Sequence, residues 1–311
     1  MPAQAGIQGR PCTRNRTRRD TCFRRCDCDP KDLTVTTDHS PLIITSPANR
    51  RIVEARKLKQ HKYRQASSRF LLEGLQALHM ALDAGIKFDE VYYVQGEIDT
   101  PGAEALLARL QHSGVELVPV APRVMETLSE RDEPQGIVAA CRIVTTELES
   151  LTLPAGPQLV VVLDRLQDPG NLGTLLRTAD AAGARAIILI EPCVDPYDPK
   201  TIRSSMGSIF NLPVVVTREV AGLFAWLNAR SLRPTGADPH RGTLWGEGLW
   251  QGRVALFLGN EARGLSQDVA DQVHTYGRLP VAGKADSLNV AIAGGILMYL
   301  WRRANAAAEA P

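Results

Sequence analysis

Two runs of five residues with no polar position, Leu159–Leu163 (LVVVL) and Val254–Leu258 (VALFL), limit what this chain can fold into. A strand with one face in water alternates apolar and polar side chains. A strand that is apolar throughout has both faces covered, as in a parallel sheet wrapped by helices. The residues around the two runs supply such helices. Asn171 precedes Leu172, Leu175, Leu176 and Ala179, an i, i+3, i+4, i+7 stripe that predicts a helix capped by Asn171 and closed by Gly183. Ala186–Ile190 and Val214–Thr217 read as strands, Thr201–Phe210 and Ala221–Ala229 as helices, and Leu288–Arg303 as a long C-terminal helix. The alternation predicts an α/β domain over residues 159–311.

A second, smaller α/β pattern precedes it. Phe70–Leu72, Glu90–Val94, Val115–Val120 and Ile137–Ile143 read as strands. Between them lie helices over Leu75–Ala84, Gly102–Gln111 and Arg123–Ser129, the first two stopped by Gly85 and Gly114. Pro47–Gln65 reads as one basic helix with Ile52, Ala55 and Leu58 as its buried stripe. A domain is therefore expected over residues 46–146, joined by a Pro/Gly-containing linker at 147–158.

Charge is unevenly spread. The net charge is +2, yet residues 46–70 carry eight lysines and arginines against the single acid Glu54. A local +7 on a chain whose residues 71–311 sum to −8 is the footprint of a phosphate-backbone binder, although a solvated basic helix has the same composition. Arg50, Arg51, Arg56, Lys57, Lys59, Lys62 and Arg64 are the candidate phosphate contacts. Residues 1–45 are Arg-rich and poor in large apolar side chains, so a disordered tail is expected there. Its Cys12, Cys22, Cys26 and Cys28 lack the paired C-x2-C spacing of structural zinc sites, and no metal is expected. Cys141 and Cys193 lie among apolar residues and read as buried thiols. The longest apolar stretch, Leu288–Leu300, is 13 residues, short of the roughly 20 that span a bilayer. With no signal-peptide pattern at the N-terminus, a cytoplasmic protein is expected.

In parallel sheets ligands bind where strands end at their carboxyl side, so the loops there carry the chemistry. Three are unusual. Asp164-Arg-Leu-Gln-Asp-Pro-Gly-Asn171 leads into the helix that bears Arg177. Leu258-Gly-Asn-Glu261-Ala-Arg-Gly264 follows a buried strand, and its glycines let a ligand approach the backbone. Leu279-Pro280-Val-Ala-Gly-Lys-Ala-Asp-Ser287-Leu288-Asn289 opens onto the last helix. Singly, Asn171 and Ser287 are ordinary helix caps, Arg177 a surface arginine, and Glu261 a carboxylate favoured by a helix dipole.

Together and in this order, the three segments resemble the signature motifs of the SpoU/TrmH family of RNA 2′-O-methyltransferases. The resemblance runs from Leu159 to Arg303 and includes Asp195-Pro-Tyr-Asp-Pro-Lys-Thr-Ile-Arg-Ser-Ser-Met-Gly207. Residues 46–145, with the Pro134-Gln-Gly-Ile137 turn, resemble the substrate-binding domain that some members carry, a small α/β unit similar to a ribosomal RNA-binding protein. On that resemblance the basic residues named above are the expected RNA contacts. The resemblance implies a C-terminal parallel-sheet α/β knot, a trefoil, preceded by a small α/β RNA-binding domain. It implies S-adenosylmethionine as cofactor, held by Leu258, Gly259, Leu279, Pro280, Ser287 and Leu288. It implies catalytic roles for Asn171, Arg177, Glu261, Ser287 and Asn289, no metal, and a homodimer in which paired knots complete each site, with Leu297, Tyr299 and Trp301 at the interface or in the core. Large-subunit ribosomal RNA is the substrate expected from the extra domain, with transfer RNA as the alternative. A catalytically silent RNA-binding factor of the same fold is the competing reading outside enzymology. Arg233–Gln251 reads either as a substrate loop or as packing.

Overall fold

The computed structural model describes residues 42–98 and 100–306. The four cysteines of the N-terminal stretch lie outside the described residues. Helices α1 (Arg50–Lys57) and α2 (His61–Ser67) lead into β1 (Arg69–Glu73), α3 (Leu75–Asp83), β2 (Phe88–Tyr93), α4 (Pro101–His112), β3 (Glu116–Pro119), α5 (Pro122–Leu128) and β4 (Ile137–Arg142). These strands form a mixed sheet of order β1-β4-β2-β3, with β4 antiparallel to both neighbours and β2 parallel to β3. The alternation of strand side chains sorts its two cores. Phe70 and Leu72 meet Leu78 and Leu106 of the helices on one face, while Leu71 meets Ile52, Leu58 and Leu128 on the other. Ile44, assigned above to the tail, pairs in parallel with Val120 beside this sheet.

The second series is β5 (Gln158–Asp164), α6 (Pro169–Ala182), β6 (Ala186–Ile190), α7 (Pro199–Ser205), β7 (Val214–Thr217), α8 (Val220–Ala229), β8 (Arg233–Ala237), β9 (Thr243–Leu244), β10 (Arg253–Leu258), α9 (Gln267–Ala270), β11 (Thr275–Arg278) and α10 (Val290–Asn305). All seven strands run parallel in the order β7-β6-β5-β10-β8-β11-β9. The two apolar runs, β5 and β10, lie side by side at its centre, and every residue of β5 is buried. Leu159, Val161 and Leu163 face α6 and α10; Val160 and Val162 face α8. Burial of each such side chain contributes about 1.5–3 kcal/mol, which makes this the stable frame on which the loops are mounted. Leu148 and Leu151, in the stretch expected as linker, are buried in the α8-side core.

Several expectations change. The single basic helix is two, interrupted at Leu58–Gln60. The cause is Arg64, whose side chain is only 2% exposed. Its Nη1 donates to the carbonyls of Leu58 and Lys59 at 3.0 and 2.8 Å, satisfying groups that end α1. Its Nε and Nη2 bind Asp195 at 2.8 and 2.7 Å. Arg233–Gln251 is neither a free loop nor plain packing: it contributes β8 to the sheet interior and β9 to its edge, while Trp250 is buried. The sequences RPTGA and TYGR of β8 and β11 have no apolar periodicity, so only the neighbouring strand pairing makes them strands. Thr201–Phe210 is α7 followed by a separate 3-10 turn at Ser208–Phe210. Cys193 is partly exposed, although burial still pushes its thiol up to about 12.

Candidate active site at the carboxyl ends of the parallel strands

Asp164, fully buried at the end of β5, accepts the backbone N–H of Ser266 and so ties the loop after β10 to the loop after β5. Asn260 strengthens the link: its Nδ2 donates to the Arg165 carbonyl at 3.0 Å and its Oδ1 accepts from Ala262 and Arg263. Gly259 has no space for a side chain, because a Cβ there would lie 2.2 Å from the Gly264 carbonyl carbon. The loop is therefore a closed, rigid turn that presents backbone to the cleft beside it.

The helix caps differ from the expected ones, and the difference builds the site. Asp168, not Asn171, caps α6; its Oδ1 accepts the Asn171 N–H at 2.8 Å. That hydrogen bond, then the ammonium of Lys200 at 3.3 Å, hold the Asp168 carboxyl below its ordinary range. Asn171 sits inside the first turn with its side-chain amide free for other work. At the other end Asn289, not Ser287, caps α10, its Oδ1 accepting from Ala291 and Ile292 at 2.9 and 3.2 Å.

These caps set the direction of a hydrogen-bonded chain. Because Asn289 spends its oxygen on the helix, only its Nδ2 remains to donate to Asn171 Oδ1, at 3.0 Å. Asn171 Nδ2 is then turned toward Glu261 Oε1, at 2.8 Å. Three residues from three separate segments, 118 positions apart at the extreme, thus share one polar row. The Glu261 Oε2 atom has no partner among the described residues and stays open to a donor.

The row borders a cleft of about 540 Å³, within the range of small-molecule sites. Leu258, Gly259, Leu279, Ser287 and Leu288, all expected at a cofactor site, line it, together with Glu261 and Asn289. Pro280 does not line it. Arg177 is exposed, has no hydrogen-bond or ion-pair partner among the described residues, and lies off the cleft, about 9 Å of helix rise beyond Asn171. Leu297 and Trp301 are core, whereas Tyr299 is exposed. The Ala237–His240 segment at the end of β8, inside the Arg233–Gln251 stretch read from the sequence as a substrate loop or packing, forms one wall. Asp238 is paired with Arg241 at 2.9 Å, which leaves Glu261 and Asp286 facing the cleft against one guanidinium, Arg263, a small acidic surplus that suits a ligand carrying positive charge.

Of the basic residues singled out in the sequence, Arg51 is clamped by Glu116 at 2.8 and 2.7 Å, Lys57 pairs with Glu54 at 2.7 Å, and Lys59 donates to the Ser129 carbonyl. Arg64 is the buried ion pair described above, which corrects its assignment as a surface phosphate contact. Arg50, Arg56 and Lys62 are exposed. No described helix is long and apolar enough to cross a membrane.

An all-parallel sheet with a half-apolar cleft at the carboxyl ends of its strands, preceded by a small mixed sheet whose flanking helices α1 and α2 bear exposed cations, is an α/β architecture with a small-molecule cleft. Comparison narrows the class. Residues 158–299 match the SpoU rRNA Methylase family and residues 49–139 the MRM3-like substrate binding domain. An uncharacterized tRNA/rRNA methyltransferase of Synechocystis is 35% identical over 271 residues, 86% of this chain and 96% of that protein. The 23S rRNA (guanosine(2553)-2′-O)-methyltransferase of Bacillus subtilis is 31% identical over 256 residues, 82% of this chain and 97% of its own. An AdoMet-bound rRNA methyltransferase from Sinorhizobium meliloti superposes with a TM-score of 0.77 at 34% identity, over 84% of this chain and 97% of that one. The chain belongs to the SpoU rRNA methylase family.

Proposed function

We propose that the protein transfers a methyl group from S-adenosylmethionine to a ribose 2′-hydroxyl of large-subunit ribosomal RNA. The observation that carries this is the Glu261–Asn171–Asn289 row at the edge of the acidic cleft. The cleft fits the cofactor: Leu258, Leu279 and Leu288 give a flat ring apolar walls, the Gly259 turn gives it backbone groups, and the acids suit a sulfonium. When bound, the cofactor supplies the electrophilic methyl group. The chain's own task is to make a poor nucleophile reactive. Glu261 Oε2 accepts the hydrogen bond of the ribose hydroxyl, and Asn171 and Ser287 orient the sugar. Arg177, whose guanidinium stays charged and is no base, holds the neighbouring phosphate and stabilises the developing alkoxide.

Arg177 lies away from the cleft in its own subunit, so the working unit is a homodimer in which the second copy completes the site. Leu288, Ile292 and Tyr299, 38%, 55% and 52% exposed, form the face on and beside α10 that pairs. The substrate-binding domain, residues 46–146, reaches the RNA backbone through Arg50, Arg56 and Lys62. On this reading the protein works in the cytoplasm. Incubation of the purified dimer with labelled cofactor and unmodified 23S rRNA transcript, followed by nuclease mapping, is expected to place label on one 2′-oxygen. Label on a base, or none with intact cofactor binding, refutes the proposal.

A further inference from the structure

A second cleft, of about 500 Å³, lies between the small sheet and α7, away from the site just described. Leu71, Leu75, Leu128 and Ile202 form its apolar floor. Its rim is cationic. Lys59, Arg131 and Arg203 face Glu73 and Glu130, one more cation than acid; Arg131 pairs with Glu73 at 3.9 Å, which also accepts from Ser129 Oγ at 2.7 Å and from the Gln135 N–H at 3.3 Å, so Arg203 carries the surplus charge. Lys59 is drawn below its ordinary range by burial. Arg203 is exposed at the last turn of α7 and has no partner among the described residues. The contrast with the acidic cofactor cleft is one of sign: this lining suits an anion with an apolar body.

Two further details describe the body. Met206, at φ 52°, is held in the left-handed region while 49% exposed, an uncommon conformation for a large side chain, and it stands on the rim. Gln135 folds across Gly74, where a Cβ would lie 2.1 Å from its Oε1, and with Gln76 it brings amide groups to the same wall. An apolar floor, a thioether and two amides match the face and edge of a nucleobase, and an unpaired guanidinium matches its phosphate. Sequence-specific RNA binding commonly uses bases splayed out of single-stranded segments into such clefts.

We propose that this cleft takes one unstacked nucleotide of the substrate RNA, its phosphate on Arg203 and its base between Met206 and the Leu75 wall. The proposal rests on the reading of the protein as an RNA methyltransferase. It makes Arg203 and Met206 specificity determinants remote from the reacting atoms. The occupant also lies on the helix that touches the catalytic frame, because Lys200 of α7 binds Asp168, the cap of α6.

The test uses the full chain and unmodified 23S rRNA transcript. Arg203→Gln is expected to raise the transcript's KM about tenfold and to reduce the slope of log affinity against log salt by about 0.7–0.9, the loss of one phosphate contact. Cofactor affinity by calorimetry is expected to stay as in the wild type. An unchanged slope and KM overturns the proposal. Met206→Gly removes both the strain and the apolar rim, and is expected to weaken transcript binding with no change in salt slope; equal binding counts against the base contact. A 4-thiouridine-substituted transcript is expected to crosslink to the peptide 199–207 or 128–138 of the wild-type protein, and crosslinks confined to other peptides overturn it. A mixture of nucleoside 5′-monophosphates serves as control. Heat of binding that Arg203→Gln abolishes, with transcript binding untouched, assigns the cleft to a free nucleotide and also overturns it. Absence of methyl transfer by the wild type strikes the proposed function instead, since crosslinking and salt slope are read without turnover.

Discussion

Arg64 separates a stabilising residue from a recognition residue more sharply than any other position in the basic segment. Arg64→Ala removes a guanidinium that is 2% exposed and leaves Asp195, 14% exposed, without its main counter-charge. It also strips the donors from the Leu58 and Lys59 carbonyls where α1 ends. Breaking a buried pair by deleting one partner costs about 3–5 kcal/mol, far above the about 0–1 kcal/mol of a surface pair. With urea slopes of about 1–3 kcal/mol/M, the unfolding midpoint followed by circular dichroism should fall by about 1 M or more. Arg64→Met combined with Asp195→Leu replaces the pair with apolar volume and should recover more than half of that loss. The salt dependence of RNA binding should be unchanged in the folded double variant, because Arg64 contacts no phosphate. A single variant of wild-type stability whose salt slope drops by nearly one unit would refute the reasoning.

Asn289→Ala should cost about 1 kcal/mol in thermal unfolding through the lost α10 cap and should abolish methyl transfer, whereas Asn289→Asp should restore the cap but not the activity, since it cannot donate to Asn171. If Asn289→Asp is fully active, the hydrogen-bond row has no role. Gly259→Ala forces the loop after β10 apart and should raise the cofactor dissociation constant at least about tenfold by calorimetry, with the fold retained by circular dichroism; unchanged binding would remove that turn from the pocket. The Asp168 carboxyl is depressed in the folded state, so its contribution is present above its unfolded value, roughly pH 4, and is lost as pH falls through the lower folded value. Asp168→Ala should therefore cost up to about 1 kcal/mol at pH 7 and progressively less in stability measurements carried into acid; a gap independent of pH contradicts the charged-cap role.

Much of the fold was legible because burial writes itself into composition. The apolar runs of β5 and β10 announce a two-sided core strand, and the Leu172/Leu175/Leu176/Ala179 stripe announces α6. The polar motif residues were legible only as a set: Asn171, Glu261 and Asn289 each have an ordinary structural reading, and no local rule prefers the other. Helix ends were the weakest point. Asp168 and Asn171 are equally good caps by residue type, and which one closes α6 depends on what else reaches Asn171.

Local pattern alone settled the existence of two α/β units, the parallel character of the larger sheet and the surplus of positive charge near the N-terminus, since these follow from how side chains partition between water and interior. Long-range pairing decided the rest. β8, β9 and β11 exist because neighbouring strands offer hydrogen bonds to segments that have no strand periodicity of their own. Four of the seven cations turned out to be held by carboxylates or carbonyls, Arg64 by Asp195 from 131 residues away. A residue type advertises the charge it carries; only the folded chain determines whether a counter-charge has already taken it.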